Sequence, residues 1–259
     1  MKTLHFPKFI FVAITLIGMG FFGFAAYAGH WWGGYHWARG ANPLALQLGD
    51  NLSSLWDPYL GIASSDWSAS SVLDTAVVPG AGNPKSCGPV AGRVEVCNSK
   101  YGRNGWLGLA SVWVNGSHIA QGTVKLNDSY FNIAKYNKPA WRQFVACQEI
   151  GHMFGLDHQD EFFTNANLGT CMDYTNDPTT NQHPNTHDYG MLETIYAHLD
   201  STVASSLVNG ASPSVAGIDT SDRSEWGRRV RTSGDGRGSL YERDLGRGQK
   251  IFTFVIWAD

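Results

Sequence analysis

The stretch CQEIGHMFGLDHQD, residues 147–160, decides how this chain is read. Pro139 opens a helix ahead of it, AWRQFVACQEIGHMFG, in which Phe144, Cys147, Gln148 and His152 fall near one face. Residues four apart on a helix sit one turn above each other, so Gln148 and His152 point the same way, with Glu149 beside them. Gly155 is a helix stop that lets the chain turn sharply and bring His158 back toward the same point. Two neutral imidazoles so placed can hold one zinc ion at about 2.0–2.1 Å. The metal acidifies its water, and a nearby carboxylate takes the proton as that water attacks a carbonyl. His152 and His158 are therefore the candidate ligands and Glu149 the candidate general base. Two histidines six apart are, alone, more often surface or capping residues. Glu149, Gly155 and the strand-before-helix context favour the metal.

Outward from this stretch, the pattern alternates strands and helices. LALQLGD (44–50), SVLDTAVV (71–78), RVEVC (93–97), WLGLASVWV (106–114) and HIAQGTVKLN (118–127) read as strands. NLSSLWDPYLGIASSDW reads as a helix capped by Asn51 or Ser53, with Leu52, Leu55, Trp56, Tyr59 and Leu60 at helical spacing. THDYGMLETIYAHLD reads as a last helix, capped by Thr186, with an apolar stripe from Tyr189 to Leu199. The opening GHWWGGYHWARGANP is expected to be irregular. At 43% apolar and 16% charged residues, the chain has the composition of a globular domain. A net charge of −3 gives no electrostatic footprint for a nucleic-acid partner.

The first 28 residues read as a signal peptide. Lys2 and Lys8 precede an apolar run from Phe9 to about Phe24, and Ala26 and Ala28 have the spacing of a cleavage site. After its removal no stable membrane association is expected. Four cysteines, Cys87, Cys97, Cys147 and Cys171, remain in the exported chain. Their even number suggests disulfides. Of the three pairings, Cys87–Cys97 with Cys147–Cys171 is favoured, the first closing a Gly- and Pro-rich loop. Past residue 200, a linker (201–220) and a mildly basic segment (221–259) are expected, the latter ending in a hairpin around Gly246-Arg247-Gly248.

Residues 148–158 resemble the metzincin zinc-peptidase signature H-E-x-x-H-x-x-G-x-x-H at every defined position but the first. TCMDYT, downstream, is similar to that family's Met-turn, which implies that Met172 lies under the metal. In the astacin and serralysin branches a tyrosine at the place of Tyr174 can bind the metal and steady the oxyanion. The resemblance covers about residues 35–200 (29–200 being the expected domain). It implies an α+β fold: a twisted, mostly parallel sheet with an antiparallel edge strand, an active-site helix, the Met-turn and a C-terminal helix. It also implies a zinc-dependent endopeptidase acting on a peptide or protein substrate, bound as an added strand at the sheet edge. A Cys147–Cys171 bridge would staple the active-site helix to the Met-turn.

Gln148 replaces the first histidine of the signature. Its amide oxygen is a neutral, harder donor than imidazole, and zinc prefers N and S. Three readings follow. Gln148 itself completes the shell; another residue does so, with Tyr174 or Asp160 nearest in sequence and His183 or His187 more remote; or no catalytic metal binds and the fold is a non-catalytic module that holds a peptide. Asp160 could also orient a histidine through a hydrogen bond. Asp157, Asp160 and Glu161 with Asn165 and Asn167 could hold Ca2+, a solvated acidic loop being the simpler expectation. His183 and His187 are read first as capping or surface residues.

Overall fold

The computed structural model describes Met1 and residues 29–201 and 217–259. The expected signal peptide and most of the expected linker lie outside these residues. Among them the elements run β1 (His36–Trp37), β2 (Leu44–Asn51), α1 (Asp57–Trp67), β3 (Leu73–Pro79), β4 (Val94–Ser99), β5 (Trp106–Asn115), β6 (His118–Asn127), α2 (Asp128–Phe131), α3 (Pro139–His152), α4 (Thr186–Ile195), β7 (Arg228–Thr232), β8 (Gly238–Gly246) and β9 (Gln249–Trp257).

The molecule is α+β, built on one mixed sheet in the order β3-β2-β4-β6-β5-β9-β8-β7, with β1 also pairing β6. Strands β1, β2, β3, β4 and β6 run parallel. The remaining four are antiparallel to their neighbours. In β2, Leu44, Leu46 and Leu48 are buried while Ala45 and Gln47 are exposed, the period-2 alternation of a strand with one face on the core. Helices α1 and α3 pack on each other, and the Trp67 indole N–H donates to the Cys147 carbonyl at 3.2 Å. Trp56, Trp67, Phe144 and Phe154 are fully buried in this core.

Several expectations need correction. Helix α1 starts later than its apolar spacing suggested: Trp56 occupies the N-cap position, and neither Asn51 nor Ser53 caps it. Pro58 fits the first turn, where no intrahelical N–H is needed, and Leu55, read as part of the stripe, is exposed. Helix α4 is capped by Asn185 rather than Thr186, in a reciprocal box with Asp188. It ends at Ile195, so Leu199 lies beyond it and is exposed. The largest difference concerns β5. The antiparallel strand β5 is interior, because β9 pairs with it from Trp106↔Trp257 to Asn115↔Gln249, and the antiparallel strand at the sheet edge is β7. The expected hairpin around residues 246–248 is present as β8–β9, and it continues the main sheet.

Both disulfides join the favoured partners, Cys87–Cys97 and Cys147–Cys171, each with Cα atoms 5.9 Å apart.

Candidate metal centre

Helix α3 presents Gln148, Glu149 and His152 on buried turns, and His158 returns after the bend at Gly155. Gly155 has φ +94°, which favours glycine, and any side chain there would run into the Tyr35 carbonyl. The N-terminal stretch, expected to be irregular, holds this bend in place. Trp31 bridges Leu156, and Asp157 N–H donates to the His30 carbonyl at 2.6 Å. Trp37 donates its indole N–H to the Met153 carbonyl at 2.7 Å.

The return brings the two histidines together: His152 Nε2 and His158 Nε2 are 3.1 Å apart. Each ring is oriented from its far side. His152 Nδ1 donates to the Leu156 carbonyl at 2.9 Å. His158 Nδ1 faces the Asp157 and Glu161 carboxylates at 3.4 and 3.5 Å. Burial, then the neighbouring His158, hold the His152 imidazole well below its ordinary pKa. At His158 burial acts the same way, but the Asp157 and Glu161 carboxylates outweigh it and raise the ring. A proton on His158 Nε2 donated to the His152 Nε2 lone pair joins the two rings, while His158 Nδ1 has carboxylates near it but no hydrogen-bond partner. Loss of that proton leaves two lone pairs aimed at one point, a donor pair that fits a metal.

The two other α3 groups are held differently. Gln148 donates Nε2–H to the Cys171 carbonyl at 3.0 Å, and its buried Oε1 has no hydrogen-bond partner. Glu149 Oε2 is likewise buried and unpartnered. Its other oxygen lies against β5, where a Cβ on Gly108 would sit 2.7 Å from Oε1. Glycine at 108 is thus what gives the carboxylate room. Burial pushes the Glu149 carboxyl well above the usual range.

Met172 packs beneath the helix: a Cβ on Gly151 would come within 2.5 Å of its sulfur. The turn carrying Met172 is tied to the His158 loop by Gln159 N–H donating to the Met172 carbonyl at 2.6 Å and Tyr174 N–H to the Asp160 carbonyl at 3.1 Å. The Tyr174 ring lies between His158 and Phe163, with centroids 4.1 and 4.5 Å away, and burial raises its phenol.

The remaining sequence candidates are used elsewhere. The Asp160 carboxylate accepts Phe162 N–H at 2.6 Å, so the carboxylates beside His158 are Asp157 and Glu161 instead. His183 pairs with Asp66 at 2.7 Å on α1. His187 stacks on His30 at 4.7 Å. Of the residues named for calcium, Asp157 and Glu161 come together beside His158, while Asn167 bonds to Asp177, Thr180 and Thr175. Arg231 binds both Asp157 and Glu161, supplying the positive charge that those carboxylates face.

Arg231 belongs to β7 and carried no signal in the sequence. The same is true of Phe254 on β9, which stacks flat on the His152 ring at 4.0 Å and 10°. Gly238 of β8 presses its backbone on Tyr174, leaving no space for a side chain. These strands close the centre: Glu149 and His152 are 1% exposed and His158 8%. Asp157 and Glu161 were visible as neighbours of His158 in sequence, and their spacing was the only hint of their role.

No protein-family model matches the chain, and no curated protein matches it.

Proposed function

We propose that this chain is an exported zinc-dependent endopeptidase of metzincin type. The observation that carries the reading is the pair of imidazole Nε2 atoms 3.1 Å apart, with the unpartnered buried oxygens of Gln148 and Glu149 on the same helix. His152 and His158 would hold the metal, and the Gln148 amide oxygen is the best third donor, being already freed by the use of its Nε2 on Cys171. Zinc so held supplies Lewis acidity and brings the pKa of a water to about 7.

The chain's own groups divide the remaining work. Glu149 holds and passes the proton: burial makes its carboxylate a stronger base than an exposed one, suited to taking a proton from water and handing it to the leaving amine. Tyr174 keeps its phenolic proton, again through burial, and so can donate to a developing oxyanion. Asp157 and Glu161 fix the His158 ring. The two disulfides accord with export, and among the described residues no helix is long and apolar enough to cross a membrane.

A second reading, a non-catalytic module on the same fold, is favoured by one observation. The edge of β5 that would take a substrate strand is paired with β9, and Phe254 covers His152. Hydrolysis therefore requires β8 and β9 to move from the centre.

One experiment separates the readings. Zinc content and casein hydrolysis are measured for the full chain, Glu149→Gln and His152→Ala. The peptidase reading expects Glu149→Gln to keep its zinc while activity falls by about 10³ or more, a general base contributing about 10²–10⁴ and more when the nucleophile depends on it. His152→Ala should lose one zinc equivalent. An unaltered chain that hydrolyses nothing, with or without zinc at this centre, would favour the second reading, and unchanged hydrolysis in Glu149→Gln would overturn the first.

A further inference from the structure

A second group of metal-type ligands stands apart from the centre on α3. His36 on β1 lies opposite His118 at the start of β6, a register fixed by the parallel pairing of the two strands. His198 and Asp200 follow α4. One carboxylate oxygen, Asp200 Oδ1, is 3.1 Å from His118 Nε2 and 3.6 Å from both His36 Nε2 and His198 Nε2. The donor atoms of His36, His198 and Asp200 all lie within 4.8 Å of one another. The rings of His118 and His198 each stand edge-on to that of His36, with centroids 4.8 and 4.9 Å away.

Each part of this group is held from outside. His36 Nδ1 donates to the Gly34 carbonyl at 3.0 Å, which places the lone pair on Nε2. That Nε2 is buried and has no hydrogen-bond partner. Asp200 Oδ2 accepts Arg39 N–H at 2.9 Å, leaving Oδ1 for the three imidazoles. Arg39 also shapes the segment that carries His198: its guanidinium donates to the carbonyls of Tyr196 and His198. Its charge is thus turned to backbone oxygens.

Two imidazole nitrogens and one carboxylate oxygen form a donor set suited to zinc. In a tetrahedral site with bonds of about 2.0–2.1 Å, ligand atoms stand about 3.3–3.4 Å apart, and His36 Nε2 and His198 Nε2 each lie 3.6 Å from Asp200 Oδ1, close to that value. We infer that His36, His198 and Asp200 hold a zinc ion at a site distinct from the centre on α3, with His118 hydrogen-bonded to the Asp200 carboxylate and orienting it. Its ligands come from β1 and from the segment after α4, and His118 of β6 bonds to the carboxylate, so the metal would pin these three parts together. β1 continues the stretch that supports the bend at Gly155. The metal would therefore hold the chain's entry, and with it the base of the His158 loop.

The test uses the full chain after dialysis against a chelator, titrated with Zn2+, and with Co2+ for the visible absorption of tetrahedral cobalt. His198→Ala is the informative variant, since its side chain is 55% exposed and the change leaves the core intact. Asp200→Asn keeps an oxygen on Arg39 while removing the charge. The expected result is loss of one equivalent in His198→Ala, or at least a tenfold weaker site, with a similar loss in Asp200→Asn. In a chain carrying His152→Ala and His158→Ala, one equivalent should remain, and it should disappear when His198→Ala is added. Zinc should also raise the Tm of that double variant and not of the triple one. Stoichiometry and affinity unchanged in His198→Ala would overturn the inference, as would a folded His152→Ala/His158→Ala chain that binds no zinc. The result is independent of catalysis: failure of the peptidase reading leaves this site standing, and the reverse holds.

Discussion

At Gln148 two hydrogen-bonding capacities are split. The amide N–H goes to Cys171, across the turn stapled by the Cys147–Cys171 bridge, and the oxygen is left over. This makes a direct prediction. If that oxygen is the third metal donor, Gln148→His replaces it with a nitrogen that zinc prefers, and affinity at the α3 centre should rise by about tenfold or more, about 1.4 kcal/mol. Competition against a chromophoric chelator reads the change; no gain would point the shell to Tyr174. Gly151 gives a stability counterpart. A methyl there would lie 2.5 Å from the Met172 sulfur and 2.7 Å from Trp67, so Gly151→Ala should cost about 1–3 kcal/mol through overpacking, read as a lower Tm. Residues of this kind differ in how far the sequence reveals them. His152, Glu149 and His158 are legible because helix geometry and one glycine bend fix their mutual placement within a dozen residues. Asp157 and Glu161 look like any solvated acidic loop until Arg231 is seen beside them. Arg231 is brought there by sheet pairing, and no local pattern reports that.

At the scale of elements, β7 is locked to the loop of the centre by one cation. Arg231 donates to Asp157 Oδ2 at 2.6 Å and to Glu161 at 3.0 Å. Burial of Asp157 works to raise its carboxyl, yet hydrogen bonds from His158 and Arg231 prevail and hold it well below the usual range. A carboxyl depressed in the folded state stabilises at pH above its unfolded value, about 3.9, and that contribution is lost as pH falls below it. Arg231→Ala should therefore lower stability at pH 7 by about 1–2 kcal/mol, allowing for solvent screening at a side chain that is 37% exposed. The gap between variant and unaltered chain in thermal melts should stay constant from pH 7 to about pH 4 and narrow progressively as the buffer is taken below that. A gap that stays constant at acid pH as well would mean the guanidinium acts by packing alone. The helices and central strands were visible as elements because their apolar residues repeat at 3.6 or 2.0. Helix starts were less so: the α1 cap position holds Trp56, a residue with no side-chain cap bond, so nothing chemical marks it.

At the scale of the whole molecule, residues 221–259 read as a mildly basic segment ending in a hairpin, set off from the domain by a linker. In the fold, the strands of this segment are part of the sheet. Leu240, Phe252, Phe254 and Ile256 enter the main core, while Tyr241 and Val255 pack with Trp106, Leu109 and Trp226 on the other face. The two arrangements make opposite forecasts for a chain ending at Ser201. A separate tail could be removed without cost. Strands β7–β9 cannot, because their loss takes four large side chains from the core, and truncating each such residue alone costs about 2–5 kcal/mol. That sum, about 8–20 kcal/mol, is as large as the net stability of about 5–15 kcal/mol typical of a domain, even before the ten-residue β5 is left as an exposed apolar edge. The shortened chain should bind hydrophobic dyes, lose its cooperative melt and associate with itself. Supplying residues 217–259 as a second polypeptide should restore a soluble complex. A shortened chain that stays monomeric with an unchanged Tm would show that the centre can be uncovered without unfolding, and would make movement of β8 and β9 an accessible route for a substrate to reach His152 and Glu149.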